Sequence, residues 1–161
     1  MQPYISTPSC SQLDRVPTPG KIVFGHPGEQ VIQTALHAHP IPGYVDVIAH
    51  GTPDVMNVLV DGRQQLLSAT QVAELLRKHP DYVHGTPVRL LSCNTGASPA
   101  HGGIPFAQRL ANELGVAVLA ANTYVKPQPD GTLELVRRAE DGNTWQRDPR
   151  GAWLLFEPQV R

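Results

Sequence analysis

Cys93 and His50 have the types and settings that thiol chemistry requires. Cys93 ends the apolar run Val88-Arg89-Leu90-Leu91-Ser92, and His50 ends the apolar run of residues 44–49. A histidine within hydrogen-bond reach of a thiol takes its proton and activates the sulfur as a nucleophile. A lone cysteine with a histidine elsewhere in the chain is the pattern of such a pair. The two residues therefore predict acyl-transfer chemistry through a covalent intermediate.

The neighbours of this pair complete a candidate site. Gly51 directly follows the histidine, and its backbone N–H, with that of Cys93, supplies two donors for an oxyanion. Strand alternation places Asp46 on the same face as His50, which makes it a candidate for orienting the imidazole. The candidate substrate-binding positions are Asn94, Thr52 and Ser92. An ordinary turn at Asn94 and a small residue fitting the sheet edge at Ser92 are the alternative interpretations.

Two parallel strands of one sheet must carry the cysteine and the histidine if they are to meet. Open α/β sheets form their sites at the carboxyl ends of such strands. The order of apolar runs, turns and helical periods predicts this arrangement. The predicted strands are residues 21–25, 44–49, 88–92 and 116–120, the predicted helices are residues 29–37, 68–78 and 104–114, and Asp61-Gly62 is a predicted hairpin turn.

The last third of the chain leaves alternatives open. Pro129-Asp130-Gly131 predicts a second hairpin, which is either a flap over a substrate groove or a simple turn. Trp145 and the segment from Trp153 to Phe156 predict either one more strand or an aromatic seal on the core.

Composition sets the class of protein. The 161 residues carry a net charge of −1, with 40% hydrophobic and 17% charged residues, as in ordinary globular domains. These values predict no nucleic-acid partner and no membrane partner, and the N-terminus lacks the pattern of a signal peptide. Residues 1–20 are rich in proline and predict an arm or linker, whereas residues 21–161 predict one domain.

Neither a disulfide framework nor a metal site is predicted. Cys10 and Cys93 are the only cysteines, and the sequence leaves open whether they pair. Two cysteines in a chain of this length do not form a disulfide scaffold. Two pairs of histidines could suggest a metal site, His37 with His39 and His84 with His101. Neither pair belongs to a Cys/His set with the spacing of a zinc site. No metal or other cofactor is therefore expected.

The motifs Val47-Ile48-Ala49-His50-Gly51 and Leu90-Leu91-Ser92-Cys93 resemble those of the caspase-like (clan CD) cysteine peptidases. The resemblance implies an α/β fold: a three-layer caspase-like sandwich with a mostly parallel central sheet, helices on both faces and peripheral β-hairpins. It also implies that His50 is the base, that Cys93 is the nucleophile, and that Gly51 and Cys93 donate to the oxyanion. It identifies no specificity residue, and the chain has no large basic cluster to support an inositol phosphate activator.

Residues 44–158 are also similar to the C-terminal modules of large secreted bacterial polymorphic toxins. The likeness rests on His50-Gly51-Thr52-Pro53, on Leu91-Ser92-Cys93-Asn94-Thr95-Gly96 and on the final Phe156-Glu157-Pro158. It implies a piece of a larger polypeptide or secreted effector, delivered into a target cell and neutralised by a cognate immunity protein. The expected function is a cysteine endopeptidase acting on a protein or peptide, as a toxic effector or an autoprocessing unit. The alternatives are a non-enzymatic binding or delivery module and another Cys/His acyl-transfer enzyme, such as a transpeptidase or deamidase.

Overall fold

The computed structural model describes residues 7–15 and 18–159. The described residues form three α-helices and eleven strands. In chain order the elements are β1 (Lys21–Val23), α1 (Gln30–Ala35), β2 (Val45–Ile48), β3 (His50–Gly51), β4 (Met56–Val60), β5 (Arg63–Leu67), α2 (Ala69–Lys78), β6 (Val88–Leu91), α3 (Phe106–Leu114), β7 (Val118–Ala121), β8 (Tyr124–Pro127), β9 (Leu133–Arg138), β10 (Trp145–Arg147) and β11 (Trp153–Phe156).

A five-stranded sheet in the order β1-β2-β6-β7-β11 forms the centre of the fold. Its first four strands are parallel, and β11 pairs antiparallel with β7. The predicted α/β class and the mostly parallel sheet are confirmed. The segment from Trp153 to Phe156 is a strand, which is the first of the two alternatives, a strand or an aromatic seal, that the sequence left open. Strands β2 and β6 are direct neighbours, with Val47 opposite Leu90 and Ile48 opposite Leu91.

Alternation along these strands buries two apolar clusters. One holds Val47 and Leu90 with the buried residues of α2 and α3, such as Leu76 and Leu110. The other holds Ile48 and Leu91 with the buried residues of α1, Ile32 and Ala35. Because adjacent strand residues point to opposite faces, α2 and α3 cover one face of the sheet and α1 covers the other.

Local sequence signals fix several of the connections. Asp61 and Gly62 have φ values of 49° and 76°, the left-handed values that a two-residue hairpin turn requires between β4 and β5. Ser68 caps α2: its Oγ accepts from the Gln71 N–H at 3.3 Å, and the Gln71 side chain accepts from the Ser68 N–H at 3.0 Å. The hairpin and the capping box are both confirmed.

Two small antiparallel sheets extend from the central one, in the orders β3-β4-β5 and β10-β9-β8. Strand β10 begins at Trp145, for which the sequence left a strand or an aromatic seal open, and its three residues are all exposed. The tip of the β8–β9 hairpin contacts the segment after α1, where the His39 N–H donates to the Gly131 carbonyl at 2.9 Å. The turn is therefore docked, while the strands behind it line the cleft described below.

The described part of the N-terminal arm contacts the domain. A short 3₁₀ turn, Cys10–Gln12, meets the β4–β5 hairpin, where Gln12 Nε2 donates to Asp61 Oδ2 at 2.7 Å. The Cys10 Sγ donates to the Leu75 carbonyl at 3.5 Å. Cys10 and Cys93 are both free thiols, so the disulfide that the sequence left open is not formed. The remaining arm positions, residues 1–6 and 16–17, lie outside the described residues.

Candidate functional site

Two adjacent parallel strands carry His50 and Cys93 to the same cleft. Each residue lies two positions beyond the paired residues Ile48 and Leu91 that end β2 and β6. Both line a cavity of about 440 Å³, and both also line a smaller one of about 50 Å³ next to α1. The structure thus brings together the two side chains that the sequence paired.

The Cys93 thiol is held by the backbone of β8. Its sulfur accepts from the Val125 N–H at 3.4 Å and donates to the Val125 carbonyl at 3.9 Å. Burial raises the pKa of the Cys93 thiol, and the hydrogen bond from Val125 offsets part of that rise. Within residues 7–15 and 18–159, no hydrogen bond joins this sulfur to the His50 ring. The raised pKa favours the protonated thiol, and the sulfur is hydrogen-bonded to Val125 rather than to the His50 ring.

Glu29 is the carboxylate that contacts His50. Its Oε2 lies 2.8 Å from His50 Nε2, and the two side chains are 38% and 44% exposed. Glu29 directly precedes α1, and its backbone is fixed by a hydrogen bond from its N–H to the His26 carbonyl at 3.1 Å. Sequence reasoning missed this residue, because an acidic residue before a helix is ordinarily explained by the helix dipole.

Asp46 has a structural role instead of the expected orienting one. Its Oδ1 accepts from Arg89 Nε at 2.7 Å, its Oδ2 accepts from Arg89 Nη2 at 2.8 Å, and Lys21 also binds Oδ2. These three residues lie side by side on β1, β2 and β6 and are all buried. Asp46 does share a sheet face with His50, but four residues of strand separate them by about 13 Å. The prediction that Asp46 orients the imidazole is therefore wrong.

Gly51 packs against the turn that carries Cys93. A methyl group at this position would lie 2.6 Å from Thr95 Cγ2 and 3.2 Å from the Cys93 carbonyl oxygen. The Thr52 N–H donates to the Val55 carbonyl at 2.9 Å, so the adjacent pair Gly51–Met56 is the non-hydrogen-bonded one of the antiparallel ladder. The Gly51 N–H therefore points away from β4, which suits a donor to an oxyanion.

Ser92 and Asn94 shape the turn beside the cysteine. The buried Ser92 hydroxyl lies 2.9 Å from the Thr95 hydroxyl, so it is satisfied inside the turn. Asn94 has a φ of 61°, and its N–H donates to the Thr123 carbonyl at 2.9 Å. Neither residue lines the larger cavity, although Ser92 lines the smaller one. Both residues therefore stabilise the turn through hydrogen bonds, in line with the alternative, structural interpretation of Asn94 and Ser92.

Thr52 is also occupied in a turn. Its Oγ1 accepts from the backbone N–H groups of Asp54 and Val55 at 3.1 Å and 3.0 Å. Its side chain does not line the larger cavity. The predicted substrate-binding role of Thr52 thus has no support in its position, because the hydroxyl already binds its own loop.

The wall opposite His50 comes from the β8-β9-β10 sheet. Tyr124, Lys126, Arg138 and Trp145 line the larger cavity with Cys93. The Tyr124 and Trp145 rings have centroids 5.0 Å apart, and the Arg138 guanidinium lies 4.6 Å from the Trp145 ring centroid. The hairpin of β8 and β9 was one of the sequence predictions, but its lining residues were not, because these side chains are exposed and come from three strands.

Comparison with known proteins adds a family to this geometry. Residues 20–135 match a family described as a domain of unknown function, DUF8616. The chain belongs to the DUF8616 family. No curated protein matches it significantly.

The DUF8616 match contains the side of the cleft that carries the thiol and the imidazole. Glu29, His50 and Cys93 fall inside residues 20–135, whereas Arg138 and Trp145 lie beyond them. The thiol and the imidazole therefore belong to the matched segment, and part of the opposite wall comes from the residues that follow it.

His50 is the one histidine of this DUF8616 chain among the described residues that line the larger cavity. His101 Nε2 is 2.7 Å from Asp54 Oδ1 at the surface. Among the residues with described coordinates, no group of three or more His, Cys, Asp or Glu side chains is arranged to hold a metal ion. None of the described helices is long and apolar enough to cross a membrane.

Proposed function

We propose that the chain is a cysteine endopeptidase in which Cys93 is the nucleophile and His50 is the general base. One observation carries the proposal: two neighbouring parallel strands end at a thiol and an imidazole that line one cavity. The finer assignment to a caspase-like sandwich is part of the same proposal. It is supported by the mostly parallel sheet, by helices on both faces and by the hairpins at its edges.

The proposed reaction begins when His50 takes the proton of the Cys93 thiol and the sulfur attacks the peptide carbonyl carbon. The carbonyl oxygen becomes an oxyanion, which accepts a hydrogen bond from the Gly51 N–H. The C–N bond then breaks, and His50 gives its proton to the departing amine. Water, deprotonated by His50, attacks the thioester, releases the carboxylic acid and restores the thiol.

The resting geometry requires one local rearrangement before this step. The Cys93 sulfur must exchange its hydrogen bonds with the Val125 backbone for one to the His50 ring. Catalytic hydrogen bonds in ligand-free enzymes are often loose and tighten only when substrate binds. A peptide that lies along β8 would compete for the Val125 backbone groups and so release the sulfur.

The biological setting follows from the likeness to polymorphic toxin modules. Under this proposal the domain is delivered as a toxic effector, or it cleaves its own parent polypeptide. An immunity protein would neutralise the effector by covering the cleft between His50 and Trp145.

Mutation of the pair tests the proposal. Cys93→Ala and His50→Ala should each abolish cleavage of a peptide library, measured as new termini by mass spectrometry. Cys10→Ala and His101→Ala are matched controls, because those side chains lie outside the cavity lining, and both should keep wild-type cleavage. Circular dichroism checks that each variant is folded. Wild-type cleavage by Cys93→Ala would overturn the assignment.

The second candidate is a non-enzymatic binding or delivery module. It is favoured by the hydrogen bonds that tie the sulfur to Val125 rather than to His50. Under this candidate, Cys93→Ala would still inhibit growth when expressed in bacteria. A transpeptidase using the same pair would release the same amine but pass the acyl group to a second amine, so joined peptides would appear in place of new C-termini. A deamidase would change the mass of a side chain and create no new termini, and both products would depend on Cys93.

A further inference from the structure

We infer that the wall opposite His50 is a subsite for an acidic side chain of the substrate, centred on Arg138. As a statement about substrate class, the inference rests on the proposed peptidase function. The positive charge of the cleft wall, on which the inference depends, can be measured without any peptide cleavage.

The side chains that line the 440 Å³ cavity are cationic or neutral. Lys126 and Arg138 lie on the outer wall, and His50 lies across from them. No aspartate or glutamate is among the described residues that line this cavity. A cleft lined by one sign of charge concentrates ligands of the opposite sign.

Arg138 is held in place while much of its binding capacity stays available. Its guanidinium stacks over the Trp145 ring at 4.6 Å, and its Nη1 donates to the Gly142 carbonyl at 3.2 Å. In the part of the chain that the structure describes, no carboxylate forms an ion pair with it. A guanidinium carries five N–H donors in a planar fork that suits a carboxylate. The remaining donors therefore fit an acidic ligand.

The aromatic residues supply the apolar part of the same subsite. Tyr124 and Trp145 are each 39% exposed, and their rings lie 5.0 Å apart beside the guanidinium. Exposed aromatic side chains at a cleft offer contact area for the stem of a bound side chain. An aspartate or glutamate would pack its methylene groups on these rings and direct its carboxylate towards Arg138.

The carboxylates near this wall are hydrogen-bonded to other groups. Asp141, which precedes the Gly142 that Arg138 binds, accepts from the Asn143 and Thr144 N–H groups at 2.9 Å and 3.0 Å. Glu134 is the strand partner of Lys126, but its Oε2 accepts from Gln128 Nε2 at 3.0 Å, and its side chain lines a different cavity. Glu29 is engaged by the His50 ring. Among the described residues neither Lys126 nor Arg138 forms an ion pair with a carboxylate. Arg138 is the cation whose position is fixed, by Trp145 and by the Gly142 carbonyl, so the subsite is centred on it.

Two thiol reagents of opposite charge test the field directly. Sulfonatoethyl and trimethylammonioethyl methanethiosulfonate each form a mixed disulfide with Cys93 and release methanesulfinate. In a Cys10→Ala background, the ratio of the anionic to the cationic reaction rate should fall about fivefold in Arg138→Gln. It should fall further in Arg138→Glu, and the differences in this ratio between the variants should shrink as salt is raised. Arg77→Gln, an exposed change on α2, should leave the ratio unchanged.

A peptide assay tests the substrate class. The wild type should prefer peptides with an acidic residue near the cleaved bond, Arg138→Gln should lose the preference, and Arg138→Glu should favour basic residues. If the ratio of the two reagent rates is the same in the wild type and in the Arg138 variants, the inference is wrong, whether or not the protein cleaves peptides. Cys93-dependent cleavage without charge preference would also overturn it. If the reagent ratio changes with Arg138 but no cleavage depends on Cys93, the wall attracts anions and the proposed peptidase function is wrong.

Discussion

His50 Nε2 and Glu29 Oε2 lie 2.8 Å apart, joining the end of the β2–β3 segment to the start of α1. A carboxylate at one ring nitrogen fixes the orientation and the tautomer of an imidazole. In the proposed reaction, Nδ1 is then the nitrogen that exchanges a proton with Cys93 and substrate. A thiol and an imidazole therefore line the cleft, and a carboxylate from a third segment of the chain contacts the imidazole.

Glu29→Gln should lower kcat of the proposed peptidase while KM changes little. The amide keeps the size of the side chain but removes the charge that supports the imidazolium formed during the reaction. Loss of a buried aspartate in a serine-protease triad costs about 10⁴-fold in kcat. We expect about tenfold here, because both side chains are more than a third exposed and water screens them.

Glu113→Gln is the matched control for this change. Glu113 is an exposed carboxylate on α3, which covers the opposite face of the sheet. Its replacement should leave both kinetic constants at their wild-type values. Equal effects of the two substitutions, or a loss confined to KM, would remove the orienting role of Glu29.

Much of the fold was predictable because its signals are local. The β2 and β6 runs, the Asp61-Gly62 turn and the Ser68 capping box each depend on neighbouring residues. The meeting of His50 with Cys93 then followed from parallel pairing of two strands.

The remaining partners of the site depend on distant contacts. Asp46 is close to His50 in sequence, yet a strand rises about 3.3 Å per residue and carries it away from the cleft. Glu29 meets the ring only because α1 packs over the ends of β2 and β6. Arg138 and Trp145 meet through the register of β9 with β10, which exposed side chains do not encode.

Asp46→Ala should destabilise the domain by about 3–5 kcal/mol, because it leaves the buried cations of Lys21 and Arg89 without their counterion. Urea unfolding measures the loss. Asp54→Ala, which removes a carboxylate from an exposed pair with His101, should cost about 1 kcal/mol or less. Similar losses in the two variants would show that the buried network contributes little.

Gly51→Ala should reduce both stability and thiol reactivity. The new methyl group would lie 2.6 Å from Thr95 Cγ2, so β3 and the turn after Cys93 must separate. Overpacking of this kind costs about 1–3 kcal/mol.

Thr95→Ser in the same chain provides the rescue. It deletes the clashing methyl group and keeps the hydroxyl that contacts Ser92. The double variant should recover a large part of the lost unfolding free energy, measured in urea. If Gly51→Ala alone were as stable as the wild type, the close packing of Gly51 against Thr95 would not contribute to the free energy of unfolding.

Cys93 alkylation should have an alkaline midpoint in the folded, ligand-free protein. Burial raises the pKa of this thiol, so the thiolate becomes abundant only above the pH of about 8.5 that suits a free cysteine. The Cys10→Ala variant, treated with iodoacetamide across a pH series, reports Cys93 alone.

The same pKa shift predicts how stability depends on pH. Between the unfolded and the folded pKa of Cys93, the unfolded chain binds fewer protons, so the free energy of unfolding falls as pH rises through that window. Cys93→Ser in the same background should lack this alkaline loss, which urea unfolding at a series of pH values measures. An alkylation midpoint below about 8.5 would instead reveal a thiolate paired with the His50 imidazolium, and it would replace the protonated resting thiol described above.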